Sequence, residues 1–296
     1  MSRKHPVIAV TGSSGAGTTT AKRAFDTIFR REHINAAVIE GDSLHSLDRM
    51  AFRAAAAEAA KNGHNTFSHF GPEANHFDKI EEMFKQYGET GMCKRRYYVH
   101  SEPEAVEHNK HFGLTDLKPG LFTPWEDIEA NSDLLFYEGL HGMIHTDKVN
   151  AAQHVDLSIG VVPIVNLEWI QKIHRDKAER GYSAEATVDT IMRRMPDYIN
   201  FITPQFTYTD INFQRVSTVD TSNPFIARDI PTPDESFVVV RFRNPKGVDF
   251  PYLLDMIHDS FMSRPNTIVV PGGKMSMAME VILAPIMHDM IQNKKK

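Results

Sequence analysis

Two hydrophobic rhythms alternate along the 296 residues. Short apolar runs occupy positions 6–11 (PVIAVT), 36–40 (AAVIE), 134–137 (LLFY), 155–163 (VDLSIGVVP), 237–242 (FVVVRF) and 268–271 (IVVP). Runs of this length, rich in Val and Ile, read as buried strands. Between them lie helical stretches: 20–31, the alanine-rich 49–61, and a segment with Phe77, Ile80, Met83, Phe84 and Tyr87 at three- and four-residue spacing. Residues 166–181 predict another helix with Trp169, Ile170 and Ile173 as its buried stripe, and 275–292 a closing amphipathic helix. Positions 94–100 have strand composition, and 101–127, mixing His, Pro and Gly, read as a long surface loop. The pattern predicts an α/β fold: a mixed, mostly parallel sheet flanked by helices, with additional strands from the C-terminal third. Strand order does not follow from the pattern.

The first strand enters GSSGAGTTT at 12–20, and a helix follows. Against the phosphate-loop template G-x-x-x-x-G-K-[ST], Gly12, Gly17 and Thr19 are in register, and Thr18 stands where the lysine belongs. Such a loop (Gly12, Ser13, Ser14, Gly15, Ala16, Gly17, Thr18, Thr19) turns its backbone N–H groups around phosphate oxygens, and the helix N-terminus adds its dipole. The Thr19 hydroxyl can then reach Mg²⁺ beside bound ATP. The charge normally brought by the lysine must come from elsewhere. A plain Gly-rich turn is the alternative.

Other candidate groups fall at strand ends and on helices. Asp42 follows the second strand on the edge that carries the loop, where it could accept a proton, hold metal or cap the next helix. Glu138 closes the LLFY strand beside the loop, placed to anchor Mg²⁺ or to cap a helix. Arg49 and Arg53 share one helix face, as do His45 and Arg49 if that helix starts early, and such a face binds an anion or is simply solvated. On 166–181, Lys172, Arg175, Asp176 and Glu179 share a second face; Lys172 and Asp176 read as an exposed ion pair or as part of a mobile phosphate clamp with Arg175, Arg180, Arg193 and Arg194.

Composition narrows the class. With 33 Lys+Arg against 38 Asp+Glu the formal charge is −5, which argues against bulk attraction to nucleic acid or to an anionic membrane. Cys93 is the only cysteine, excluding an intramolecular disulfide and a CxxC metal site. No apolar run approaches the ~20 residues of a membrane span, and the N-terminus lacks a secretory h-region, so a cytoplasmic location is expected. His100, His108 and His111 have no compact metal-ligand spacing. The expectation is a single domain over 1–296, with a lid region at about 166–200.

The blocks GSSGAGTTT, EGDSLH (40–45), LLFYEGLHG (134–142), VVPIVNLEWIQKIHRDKAERGYS (161–183), DINFQRV (210–216), DTSNPFIAR (220–228) and VRFRNPKGVDFPYL (240–253) stand in order over nearly the whole chain. In these blocks the chain resembles the bacterial phosphoribulokinases, P-loop kinases that phosphorylate the C1 hydroxyl of ribulose 5-phosphate with MgATP for the Calvin cycle. The resemblance implies a P-loop nucleotide-kinase-like fold and a catalytic base at Asp42. It implies metal binding at Thr19 and Glu138, and ribulose 5-phosphate contacts at His45, Arg49, His100 and Arg180. Lys172, Arg175 and Asp176 fall in the catalytic lid, with Lys172 the candidate for the missing charge, and threonine at position 18 resembles the bacterial class itself. It further implies a homo-oligomer activated by NADH through Arg31, Arg241 and Arg264; the cysteine-pair switch of the plant enzymes is ruled out by the lone Cys93. The rival expectations are a kinase of another hydroxylated metabolite such as uridine, and an ATP-sensing regulator without turnover. A pure sensor needs no proton acceptor beside the γ-phosphate.

Overall fold

The computed structural model describes residues 4–13, 17–64, 66–128, 131–181, 183–226 and 229–294. In chain order the elements are β1 (Val7–Thr11), α1 (Thr18–Arg31), β2 (Ala36–Glu40), α2 (Arg49–Lys61), α3 (Phe77–Thr90), β3 (Lys94–Arg95), α4 (Glu102–Phe112), β4 (Glu126–Asp127), β5 (Leu134–Gly139) and β6 (Leu157–Val162). They continue with α5 (Val165–Arg180), α6 (Ala184–Asp197), β7 (Ile211–Ser217), β8 (Ser236–Phe242), α7 (Phe250–Met256), β9 (Phe261–Arg264), β10 (Thr267–Pro271) and α8 (Met275–Lys294).

Eight strands form one sheet in the order β2-β5-β1-β6-β7-β8-β10-β9. The first five pair in parallel, and β8, β10 and β9 complete the sheet antiparallel. The mixed sheet with extra C-terminal strands is therefore as expected. The period of two is visible in β1: Ile8 and Val10 enter a core shared with α1 and α8, while Val7 and Ala9 enter the opposite core with α3. Both faces are covered, which is why the parallel strands read as unbroken apolar runs. Connections diverge from β1 to β2 and β5 on one side and to β6 and β7 on the other, and ligands sit at the carboxyl ends beside such a point.

Four expectations are corrected. Residues 101–127 are not all loop: Glu102–Phe112 is a helix, started by Pro103 and two first-turn acids and stopped by Gly113 at φ 66°. Its only buried residue is Ala105, so no apolar stripe announced it. In 94–100 only Lys94 and Arg95 pair in a strand, with Tyr98 bridging Phe122. On α5, Trp169 is only half buried, against Phe225 at 5.6 Å, whereas the polar Glu168, Lys172 and Asp176 are buried. Helix α8 buries Ala278, Met279, Ile282, Leu283, Ala284 and Met287, more than a single stripe.

Candidate active site

The phosphate loop leaves β1 where backbone crowding demands glycine. Gly12 donates to the Gly139 carbonyl at 3.2 Å, and a Cβ at Gly12 would stand 2.7 Å from the Val161 carbonyl oxygen. Gly17, at φ 107°, caps α1, whose first turn holds no acid, so the helix dipole faces the loop unneutralised. Ser14, Gly15 and Ala16 lie outside the described residues, as do the side chains of Thr19 and Arg180.

Acidic groups gather beside it because neighbouring strands end in register. Glu40 of β2 pairs with Glu138 of β5, and Glu138 pairs with Val10 of β1. Gly41 and Gly139 make the convergence tight: a Cβ on Gly139 would lie 2.6 Å from the Gly41 Cα. Burial, reinforced by Asp42 and against the pull of Lys22, pushes the Glu138 carboxyl up to about 7, and Thr18 lowers it slightly. Lys22, one turn after Thr18, pairs with Glu40 at 2.5 Å. A buried carboxyl crowded by two others fits a cation. Among the described residues no group of three His, Cys, Asp or Glu could hold a metal, so a Mg²⁺ here would draw further ligands from phosphate and water.

Asp42 sits on the 3₁₀ turn Gly41–Leu44 and lines a cleft of about 1450 Å³ together with Gly12, Thr18, Tyr98, His100 and Glu138. Its carboxylate is 3.4 Å from His45 Nε2 and 4.0 Å from His100 Nε2. Burial opposes its charge, but the His45 hydrogen bond and the fields of His45, His100 and His69 prevail and hold it at about 2. His45 is raised in turn: burial opposes its proton, and Asp42 outweighs burial. The other ring nitrogen, Nδ1, meets Asn75 Oδ1 at 2.8 Å, and Asn75 is itself anchored on the carbonyls of His69 and Gly71.

Asp42, His45 and His100 are thus brought together. Arg49 is not on a shared helix face with His45: α2 begins at Arg49 with Asp48 as its cap, and Arg49 is exposed. The pattern missed two histidines near Asp42, His141 buried and His69 half-buried. Burial drives His69, stacked on Phe52 at 3.6 Å, and His141, edge-on to Phe77, down to about 3 each. Nothing in their spacing marks them.

On α5, Lys172 Nζ lies 2.5 Å from Asp176 Oδ2, with side chains only 10% and 3% exposed, so the pair is buried rather than a solvated i,i+4 bridge. Burial lowers the Lys172 ammonium, with Arg194 adding to the effect. Arg175 approaches the same carboxylate at 3.4 Å. Glu168, one turn earlier, accepts from the Tyr198 hydroxyl at 3.2 Å, and burial raises it to about 7. A second cavity, of about 710 Å³, opens on this side of the loop between Gly17, Pro163, Leu167, Glu168, Arg215 and Met275.

The remaining arginines divide. Arg241 and Arg264 are both exposed and meet across Thr267 on β10. Arg31 pairs with Glu32 at 3.1 Å and with Glu280 of α8 at 3.5 Å. Because Val240 and Phe242 face the α1 and α8 core, Arg241 points to the other side of the sheet, apart from Arg31. Cys93 is buried, and burial pushes its thiol up to about 12.

A parallel sheet whose first strand opens into a glycine cradle, with acids converging from neighbouring strand ends, defines a P-loop phosphotransferase. The model of the phosphoribulokinase / uridine kinase family matches residues 7–222. The chain is 59% identical over 296 residues to a phosphoribulokinase of Nitrobacter vulgaris, covering 100% of both. It is 59% identical to the chromosomal phosphoribulokinase of Cupriavidus necator, covering 100% of this chain and 99% of that one. The solved structure of phosphoribulokinase from Rhodobacter spheroides superposes with a TM-score of 0.89 at 54% identity, covering 99% of each chain. The chain belongs to the phosphoribulokinase / uridine kinase family.

Proposed function

We propose that the chain transfers the γ-phosphoryl of MgATP to the C1 hydroxyl of D-ribulose 5-phosphate, yielding ribulose 1,5-bisphosphate in the Calvin cycle. The observation that carries this reading is an ionised carboxylate, Asp42, set between two histidines beside the phosphate cradle, in a chain similar over its full length to phosphoribulokinases. A kinase of uridine, whose acceptor carries no phosphate, has no use for a phosphate contact at Arg49 and Arg180.

The phosphate loop separates two cavities, as in-line transfer requires. The nucleoside takes the one beside Pro163, Leu167 and Met275, and the acceptor takes the cleft with Asp42. The acceptor oxygen attacks the γ-phosphorus, its proton passes to Asp42, and ADP leaves. A loose transition state yields the proton late, so a strongly acidic carboxyl serves if it is well placed. Glu138, with Thr19 as the second protein ligand, would hold Mg²⁺, which would offset the negative charge of the phosphate groups. Lys172 exchanges Asp176 for phosphate when the lid of residues 166–200 closes, with Arg175 alongside and Arg180 at the acceptor.

On the same resemblance, a homo-oligomer within the cytoplasm responds to NADH through Arg31, Arg241 and Arg264. No helix among the described residues is long and apolar enough to cross a membrane. The test is ADP release with MgATP and ribulose 5-phosphate, ribulose or uridine, each with and without NADH. Turnover with ribulose 5-phosphate alone supports the reading, and a rise with NADH supports the regulation. Turnover with uridine, or ATP binding without any turnover, overturns it.

A further inference from the structure

The three side chains around the proposed reacting hydroxyl come from two chain segments: Asp42 and His45 from the turn after β2, His100 from the irregular stretch after β3. Neither segment is held to the other by a sheet ladder. Arg96 joins them. Its Nε donates to the Ser43 carbonyl at 2.7 Å and its Nη2 to the His45 carbonyl at 2.7 Å. These carbonyls close a 3₁₀ turn, where acceptors lack partners within the turn. The guanidinium plane lies 3.8 Å from the Phe122 ring centroid and 4.8 Å from that of Trp125. No carboxylate forms an ion pair with it among the described residues, and burial lowers its pKa to about 10. A half-buried cation committed to two backbone carbonyls, rather than to a carboxylate, is a costly arrangement that local stability does not require.

We infer that Arg96 is a positioning residue for the acceptor site: its fork sets the distance between the Asp42–His45 turn and His100, and so the placement of the acceptor hydroxyl. The inference rests on the proposed roles of those three residues. Only a planar fork spans both carbonyls while stacking between two aromatic rings; an ammonium reaches one.

Arg96→Ala is expected to raise the KM for ribulose 5-phosphate and to lower kcat, together ~100-fold in kcat/KM, because small misplacements of reacting groups cost that much. The KM for ATP, read on the far side of the loop, stays unchanged. Arg96→Lys recovers part of the loss, and millimolar methylguanidinium added to Arg96→Ala restores acceptor kinetics. Should Arg96→Ala fail to fold, Arg96→Lys carries the same split between the two KM values. Wild-type acceptor kinetics in the variants overturn the inference; so does a parallel loss of ATP and acceptor binding without rescue, which marks a merely structural contact. Asp42→Asn run beside them separates the two levels: if it turns over normally, the reading of Asp42 fails, whereas if it is dead and Arg96→Ala is not impaired, only the positioning role fails.

Discussion

At the residue scale the site is governed by how each charge is compensated. Asp42 is kept ionised by His45 and His100, so replacing it removes the proposed proton acceptor without disturbing the phosphate cradle. Asp42→Asn is expected to lose roughly 10³-fold or more in kcat with ATP affinity unchanged, since general base and electrostatic contributions combine there; single-turnover kinetics and an ATP titration check both halves. Lys172 and Asp176 are a buried pair, and removing one partner leaves the other charge uncompensated. Asp176→Ala should therefore cost about 3 kcal/mol of stability, whereas Lys172→Met with Asp176→Asn together should recover most of it; urea unfolding of the three variants decides. Asp42 and Glu138 were legible in the sequence because both sit where an apolar run stops, and a strand end points at one edge of the sheet. The burial of Lys172 was not, since an i,i+4 pair reads the same exposed or covered until α6 packs against α5. Arg96 carried no signal at all: its partners are backbone carbonyls, which no side-chain pattern encodes.

At the element scale, strand ends place the chemistry. Glu40 and Glu138 stand in register because Gly41 and Gly139 let β2 and β5 approach without side chains between them. An alanine at 139 would meet backbone, the Gly41 Cα at 2.6 Å, which cannot swing aside as a side-chain tip can. Gly139→Ala is expected to destabilise the fold by about 1–3 kcal/mol, the usual range for overpacking, and to lower kcat by spreading Glu138 from Asp42. A thermal melt and an ADP-release assay read the two effects. Gly63→Ala is the control: unlike Gly139 it carries positive φ, 78°, but a Cβ there meets nothing within 4 Å, so only strain is felt and activity holds. Strands and apolar-striped helices such as α3 could be read because periodicity reports burial. Helix α4 could not, because its start and stop signals, Pro103 and Gly113, sit in a stretch with almost nothing to bury. The pairing order was equally silent: β5 inserting between β1 and β2 is a contact across a hundred residues, fixed by packing of both sheet faces rather than by any local pattern.

At the scale of the whole molecule, four buried or half-buried groups near the phosphate loop and the acceptor turn titrate far from their ordinary values, and they oppose one another. His69 and His141 fall from 6.5 to about 3. Between those values the unfolded chain holds a proton that the native chain does not, so each makes stability rise with pH. Glu138 and Glu168 rise from 4.5 to about 7, where the native chain holds the extra proton and stability falls with pH. From pH 4.5 to 6.5 the two pairs cancel, and the smaller pulls of His76, lowered, and Asp197, raised, oppose each other, so a nearly flat stability profile is expected. Below 4.5 the two histidines remain in play, joined by Glu126, which His111 and Arg95 hold down, and by Asp42 on the way to about 2, and stability falls with acid. Above 6.5 the glutamates act, together with His45, whose raised value makes its contribution complete below 6.5 and lost as pH rises through the folded value. The plateau is therefore a balance, and single substitutions should tilt it in opposite directions. In His141→Gln one rising contribution is gone, so stability declines from pH 4.5 to 6.5, whereas in Glu168→Gln it climbs, each by about 1 kcal/mol per pH unit. Urea midpoints at four pH values across that window measure the slopes. Profiles parallel to wild type in both variants would mean that water or relaxation keeps these side chains near their ordinary values, and that the interior around the phosphate loop is wetter than its packing implies.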